Sequence, residues 1–231
     1  MKTIGILGGI SWNSTAVYYK LINEGVAKVL GGLHSAKVLM YSFDFEEIEK
    51  RQTNGQWPEL GEMLGERGKA LRNAGADFLV ICANTMHKVV DQVETISGLP
   101  VLHIADTAGK AITKAGIKRV GLLGTRFTMS EDFYRGRLME RFGIEVVVPE
   151  KDEQQIVNSI IYDELCRGCI QDASAFACQL IIENLISRGA EGIVLACTEL
   201  PLLIKQSEVK VPLFDTVKLH AEAAVRRAVA E

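Results

Sequence analysis

The sequence predicts an α/β protein with two similar lobes, each a parallel sheet flanked by helices, related by internal duplication with pseudo-twofold symmetry. Short apolar runs rich in Val, Ile and Leu alternate with longer segments of helical period, a pattern typical of a buried parallel sheet covered by helices. The 231 residues are 48% hydrophobic, which is ample for buried cores. Two pairs of segments about 115 residues apart also resemble each other.

The apolar runs and helical periods place the elements along the chain. The acids that follow Ser130 predict that a helix begins there, with the serine as its cap. Strands are predicted at 3–8, 36–43, 77–82, 100–103, 119–124, 144–148, 191–196 and 212–214. Helices are predicted at 14–30, 58–74, 105–115, 130–142, 153–166, 172–188 and 216–229.

The internal repeat indicates how the chain divides. Residues 2–9 (KTIGILGG) resemble 118–125 (KRVGLLGT), and residues 75–85 (GADFLVICANT) resemble 189–199 (GAEGIVLACTE). The two offsets, 116 and 114, fit a single duplication. Because the last helix has its counterpart at 105–115, we expect residues 1–100 plus 212–231 in the first lobe and 101–211 in the second.

Charge and composition exclude several classes of protein. With 26 basic and 29 acidic side chains the net charge is −3, so no positive field favours nucleic acid or an anionic membrane. The apolar runs are strand-length, and the first residues do not resemble a signal peptide, so we expect a cytoplasmic protein. The five cysteines are scattered, which predicts free thiols. Cys166 and Cys169 lack a second pair at zinc spacing, so no metal is expected.

The repeated turns are the candidate site. Ligands of open α/β sheets bind beyond the carboxyl ends of the strands. If the lobes face each other, the turns at 8–14, 83–87, 124–128 and 197–199 meet in one cleft between them. The first turn is not G-x-G-x-x-G, so a nicotinamide cofactor is not expected. Its backbone N–H groups and hydroxyls suit a small carboxylate, or they only cap the helix.

Cys197 ends the most apolar strand of the second half and precedes Thr198 and Glu199. A cysteine at a strand end next to a helix start can be stabilised as a thiolate, the form that acts as base or nucleophile. The alternative is a buried, inert thiol. The repeat favours a site, because the corresponding turn of the first half is also polar, Asn84-Thr85-Met86-His87.

Four motifs stand along the chain: G-I-L-G-G-x-S-W near the N-terminus, N-T-M-H at 84–87, G-T-x-x-T at 124–128 and C-T-E at 197–199. Together they resemble the aspartate/glutamate racemase superfamily, most closely its aspartate or broad-specificity amino-acid racemases. The resemblance implies an isomerase that needs neither pyridoxal phosphate nor metal and moves the α-proton between two thiols on opposite faces of an amino acid. It also implies a homodimer; the helix at 130–142 carries Phe133, Tyr134, Leu138 and Met139 as candidate contacts.

The chain departs from that pattern at the first thiol. Cys197 matches the second cysteine of the family, but Ala83 stands where the first is expected. Cys82 and His87 are the two candidates for the missing acid/base. Adjacent side chains of a strand point to opposite faces, which disfavours Cys82, whereas the ordinary pKa of a histidine, roughly 6.5, favours His87, directly or through water or Thr85.

The remaining candidates would bind the substrate or support the site. Arg51 and Arg167 are the nearest basic residues for a distal carboxylate, and Asp215 and His220 could stand behind the site or lie at the surface. The substrate-binding candidates are the polar residues Ser11, Gln52, Asn84, Thr85, Thr125, Thr128 and Thr198.

Two rival functions stay open. The arylmalonate decarboxylases of the superfamily also lack the first cysteine and need one proton donor after carbon dioxide leaves. A catalytically inactive amino-acid-binding protein would keep the cleft without turnover.

Overall fold

The computed structural model describes residues 1–230, and in them the chain alternates between parallel strands and helices. The strands are β1 Ile4–Gly8, β2 Val38–Ser42, β3 Phe78–Ile81, β4 Arg119–Gly124, β5 Glu145–Val147, β6 Ile193–Ala196 and β7 Leu213–Asp215. The helices are α1 Trp12–Leu30, α2 Phe45–Thr53, α3 Trp57–Asn73, α4 Val90–Ser97, α5 Ile104–Lys114, α6 Arg126–Ser130, α7 Asp132–Phe142, α8 Lys151–Ser159, α9 Asp172–Ser187, α10 Leu200–Leu203 and α11 Thr216–Val229. Short 3₁₀ or π turns cover Thr85–Val89, Ile160–Glu164, Leu165–Arg167 and Gln206–Glu208.

The strands form two parallel sheets of related topology. The first has the order β2-β1-β3, and the second has the order β5-β4-β6-β7. An isolated parallel β-bridge pairs Leu79 of β3 with Val101, at the position of a fourth strand in the first sheet. If the strands of each sheet are numbered in chain order, both sheets then have the same arrangement, 2-1-3-4. Pro100 has no N–H to donate, which keeps this predicted strand short. Two parallel sheets flanked by helices confirm the fold class predicted from the sequence.

The described residues divide into two compact units. The first contains residues 1–103 together with the segment from His220 onward, and the second contains Ile104–Leu219. Residues 212–219, which the sequence analysis assigns to the first lobe, therefore lie in the second unit. The reason is that β7 pairs with β6 along Ile193↔Leu213.

The second sheet is buried on both faces. Ile193, Leu195 and Cys197 pack into one apolar cluster, whereas Val194 and Ala196 pack into another. This alternation is the period of two expected of a strand covered by helices on each side. It explains why β6 reads as a continuous apolar run in the sequence.

Several short helices are absent from the sequence prediction. α2 has few apolar residues and is supported instead by Asp44, whose side chain accepts a hydrogen bond from the Glu46 N–H at 3.1 Å. Ser130 is not the cap of α7: it ends α6 and its hydroxyl donates to the Arg126 carbonyl at 2.7 Å. The missed helices are α2, α4, α6 and α10. None of the helices in residues 1–230 is both long and apolar enough to cross a membrane.

Replacing Gly9 by alanine should destabilise the first unit strongly. Gly9 has a φ of +79°, and a Cβ there would lie 2.2 Å from the Phe43 carbonyl oxygen. We expect the free energy of unfolding in urea to fall by about 3 kcal/mol, from the left-handed backbone and from crowding together. Gly31→Ala is the matched control, because Gly31 has a φ of +75° with open space around it, and should cost about 1 kcal/mol. Equal losses at both positions would contradict the crowding argument.

Candidate active site

The first unit gathers one polar cluster at the carboxyl edge of its sheet. β1 and β3 are paired through Leu7 and Ile81, so the turns that follow them are neighbours. Thr15 holds the first turn, since its hydroxyl oxygen accepts a hydrogen bond from the Gly9 N–H at 2.8 Å. We call Ser11, Gln52, Asn84, Thr85 and His87, all buried, the first site cluster.

Within residues 1–230, the buried polar atoms of this cluster that lack a hydrogen-bond partner include the Ser11 hydroxyl and Oε1 of Gln52. Gln52 uses its other amide atom, Nε2, to contact the Met86 sulfur at 3.1 Å. A buried polar atom without a partner costs free energy, so such atoms suit a ligand that would satisfy them.

Three of the four histidines of the chain meet in the first unit. The His87 ring lies 4.6 Å from that of His103 and 5.8 Å from that of His220, between centroids. His220 Nε2 donates to the Leu102 carbonyl at 2.7 Å, so its Nδ1 accepts from the Tyr18 hydroxyl at 2.8 Å. Burial, and then the charge of a protonated His87, lowers the pKa of His220 to about 3, so His220 is neutral and is not a surface residue.

His87 is oriented by a hydrogen bond to the backbone of Ala83. Its Nδ1 lies 2.9 Å from the Ala83 carbonyl oxygen and must donate to it, because a carbonyl only accepts. In the neutral ring the basic lone pair is then on Nε2. Ala83 packs with Leu79 and Ile81 in one apolar cluster, whereas Cys82 is outside that cluster and fully buried. Burial raises the pKa of the Cys82 thiol far above its ordinary value.

The second unit gathers a corresponding cluster after β4 and β6. Gly124 pairs with Ala196, which places Thr125 and Cys197 at the ends of neighbouring strands. Thr125 caps α6, because its hydroxyl oxygen accepts from the Thr128 N–H at 3.4 Å. We call Thr125, Thr128, Cys197, Thr198 and Glu199 the second site cluster.

Cys197 donates a hydrogen bond to the Glu199 carboxylate, with Sγ 3.2 Å from Oε2, and Thr198 donates to the same oxygen. Cys197 and Glu199 are 7% and 5% exposed. The pKa of Cys197 is raised well above the ordinary thiol value, first by burial and then by the Glu199 carboxylate and Cys166. The thiol therefore rests protonated, with a proton acceptor already in contact. In the sequence Glu199 is visible only as part of the C-T-E motif, and its contact with the Cys197 thiol appears only in the structure.

The other candidates are engaged elsewhere. Arg51 donates to the Glu47 carbonyl at 2.9 Å, and Arg167, 72% exposed, lies 3.9 Å from Asp163. Asp215 accepts from the N–H groups of Val217 and Lys218 at the start of α11. All five cysteines are free thiols. Within residues 1–230, no group of three His, Cys, Asp or Glu side chains is arranged to hold a metal ion.

The known proteins that this chain resembles over nearly its full length are amino-acid racemases or their homologues. The chain is 26% identical over 226 residues to the broad specificity amino-acid racemase RacX of Bacillus subtilis, covering 96% of each protein. It is 48% identical to a candidate Asp/Glu racemase from Yersinia pestis and 37% identical to an aspartate racemase homologue from Pyrococcus horikoshii. Each of these two structural alignments covers 100% of this chain and 100% of the chain in the crystal structure, with TM-scores of 0.94 and 0.85.

A family model matches nearly the entire sequence. It is the model of the Asp/Glu/Hydantoin racemases, and it covers residues 7–224. Three of the four motifs on which the resemblance rests fall within that range, and the first, at residues 5–12, begins two residues before it. The chain therefore belongs to the Asp/Glu/Hydantoin racemase family, and the expectation of an amino-acid racemase, an isomerase, is confirmed at the level of that family.

Proposed function

We propose that this protein is a cofactor-independent racemase of acidic or varied amino acids in which Cys197 transfers the α-proton. The observation that carries the proposal is the 3.2 Å hydrogen bond from the Cys197 thiol to the Glu199 carboxylate. The carboxylate can take the thiol proton, and the thiolate can then remove the α-hydrogen of the substrate. In the reverse direction the protonated Cys197 returns a proton to the planar carbanion.

The opposite face of the carbanion needs a second acid/base, and His87 is our candidate. Its hydrogen bond to the Ala83 carbonyl places the basic lone pair of the neutral ring on Nε2, which acts directly or through a water or Thr85. Cys82 is the weaker candidate, since it is fully buried and its pKa is raised.

Substrate binding is assigned to the polar groups of both clusters. The Ser11 hydroxyl and the Gln52 amide oxygen have unsatisfied hydrogen-bonding capacity within residues 1–230, which supports their role in binding. Arg51 and Arg167 already contact Glu47 and Asp163, so the proposal includes no arginine for a distal carboxylate. This is why the substrate range is left as acidic or varied. The binding residues proposed are Ser11, Gln52, Asn84, Thr85, Thr125, Thr128 and Thr198.

The proposed setting is a cytoplasmic homodimer with neither nucleic acid nor membrane as a partner. The sequence argument for a contact through α7 is weakened, because Tyr134 and Leu138 are fully buried in the core of the second unit. The homodimer is therefore supported by the family resemblance alone. Light scattering at micromolar concentration that gives only monomer would contradict it.

The function is tested by following the α-hydrogen in heavy water. Each enantiomer of aspartate, glutamate and several neutral amino acids is incubated with the protein, and deuterium incorporation and optical rotation are measured separately. We expect the enantiomer whose α-hydrogen faces Cys197 to exchange faster than it racemises, because the group near Ala83 is the poorer acid/base. Absence of both exchange and racemisation with every amino acid would refute the proposal.

One rival function has a specific observation in its favour. With alanine at position 83, Cys197 is the single thiol of the two site clusters, and a decarboxylase needs only one proton donor. Substituted malonates should then release carbon dioxide in the presence of the protein. An inactive binding protein would instead show melting shifts with amino acids but no exchange.

Replacing Glu199 by glutamine should lower the pKa of Cys197. The carboxylate opposes a second negative charge beside it and raises the pKa of the thiol. Alkylation of Cys197 by iodoacetamide, followed by mass spectrometry across a pH series, should therefore begin at lower pH than in the unmodified protein. Glu140→Gln removes an exposed carboxylate of the same unit and should leave the profile unchanged. A shift to higher pH in Glu199→Gln would contradict the assigned electrostatics.

A further inference from the structure

A cavity with a volume of about 660 Å³ lies in the second unit, apart from the residues of the second site cluster. Its walls come from α6, the first turn of α7 and α8, and three of the lining side chains are cationic: Arg126, Arg135 and Lys151. No Asp or Glu lines it. In a protein with a net charge of −3, three cations around one cavity form a local positive field.

The three cations have no carboxylate partner among residues 1–230. Arg126 lies over the Phe127 ring at 4.9 Å, and Arg135 makes one long contact to the Ser130 carbonyl at 3.4 Å. Nε of Arg135 is buried without a hydrogen-bond partner. An uncompensated buried guanidinium donor costs free energy, and a bound anion would remove that cost.

Two of the acids close to the cavity in the sequence are engaged elsewhere. Glu150 lies 3.2 Å from Arg188 in an ion pair, and Glu153 accepts a hydrogen bond from Asn184 at 2.8 Å. They therefore do not neutralise the cavity cations. The neutral groups of the wall are also suited to oxygen-rich ligands, because Gln155 and Ser130 carry exposed side chains.

We propose that this cavity binds a small anion with several oxygens, such as a phosphate or a dicarboxylate, as an effector distinct from the substrate. Two guanidinium groups and one ammonium group are the donors that recognise such oxygens. The proposal goes beyond the racemase function, since it assigns a second ligand and a second site.

The short helix α6 couples this cavity to the second site cluster. Arg126, Met129 and Ser130 line the cavity, whereas Thr125 and Thr128 are buried at the substrate cluster. The α6 start is also tied to α8, because the Arg126 N–H donates to the Asn158 side chain at 2.8 Å. An anion that draws Arg126 and Arg135 together would therefore shift the helix that positions both threonines, and amino-acid affinity would change with it.

Binding is tested by calorimetry of the full chain with inorganic phosphate, pyrophosphate and succinate, each titrated separately. We expect saturable binding of at least one probe at millimolar concentration or below. Succinate separates a carboxylate preference from a phosphate preference. Arg135→Gln and Lys151→Gln should each weaken binding about tenfold or more, because each removes one charge-assisted contact.

Two controls distinguish this site from the substrate site and from general charge. Lys114→Gln removes an exposed cation of the same unit outside the cavity and should bind the probe like the unmodified protein. Cys197→Ser alters the substrate cluster and should also retain probe binding. Absence of saturable binding by all three probes, or equal affinity in Arg135→Gln and the unmodified protein, would overturn the proposal. Loss of racemase activity with probe binding retained would affect only the proposed function.

Discussion

Cys197→Ala is expected to abolish proton exchange and racemisation together. The thiol already donates a hydrogen bond to a proton acceptor, the Glu199 carboxylate, at 3.2 Å. Removing it leaves a methyl group that cannot carry a proton. The rate of deuterium incorporation into the enantiomer whose α-hydrogen faces Cys197, and the rate of racemisation of both enantiomers, should fall by about 10²–10⁴-fold or to background, the usual contribution of a positioned acid or base.

The matched control is Cys178→Ala. Cys178 is a fully buried thiol in the same apolar cluster as Cys197, so both variants lose a buried sulfur. We expect a similar small loss in the free energy of unfolding for the two, but unchanged exchange in Cys178→Ala. If Cys197→Ala retained its exchange rate, the catalytic thiol and the mechanism proposed here would both be wrong.

Ala83→Cys should increase racemisation, because it restores a thiol on the face where the chain has only a methyl group. Ala83 is 8% exposed, and its carbonyl oxygen accepts a hydrogen bond from Nδ1 of His87. This hydrogen bond fixes the backbone at position 83. The expected gain in racemisation is about 10²–10⁴-fold, provided that the sulfur fits. The added atom should cost about 1–3 kcal/mol of stability, since Ala83 packs in an apolar cluster.

Ala83→Ser controls for size, since a hydroxyl occupies nearly the volume of a thiol but is a much weaker acid. It should show little gain in racemisation. The double variant Ala83→Cys with Cys197→Ala gives the sharper test. The enantiomer that exchanges faster should be the opposite of the one preferred by the unmodified protein. An unchanged preference would mean that position 83 does not face the substrate.

The helices and strands with strong apolar periodicity could be predicted from the sequence. β4 and α11 have the predicted bounds. The ends of the other long helices lie within two residues of the predicted ends, except that α8 ends at Ser159, seven residues before its predicted end. The helices that were missed are short, polar or irregular, such as α2 and the turn at Thr85–Val89. Their stability comes from capping and from packing on neighbouring segments, which a window of local sequence does not contain.

Part of the candidate site could also be predicted from the sequence, because it follows from the internal repeat. The repeat placed Cys197 opposite Ala83 in the alignment of the two halves, and this identified both the thiol and the missing partner. His103 and Tyr18 were not identified, because they lie 16 and 69 residues from His87 and only packing brings histidines 87, 103 and 220 together. Nothing in their local sequence distinguishes them from ordinary core residues.

By itself the sequence determined the two-sheet α/β fold, the duplication and Cys197 as the candidate thiol, because apolar periodicity and repeated motifs are properties of the chain alone. Only the tertiary structure decided which polar atoms meet. It placed β7 in the second sheet, paired the Cys197 thiol with Glu199, and directed Nδ1 of His87 to the Ala83 carbonyl. Hydrogen bonds and burial depend on groups distant in the chain, so their geometry and their effect on a pKa follow from the packed fold.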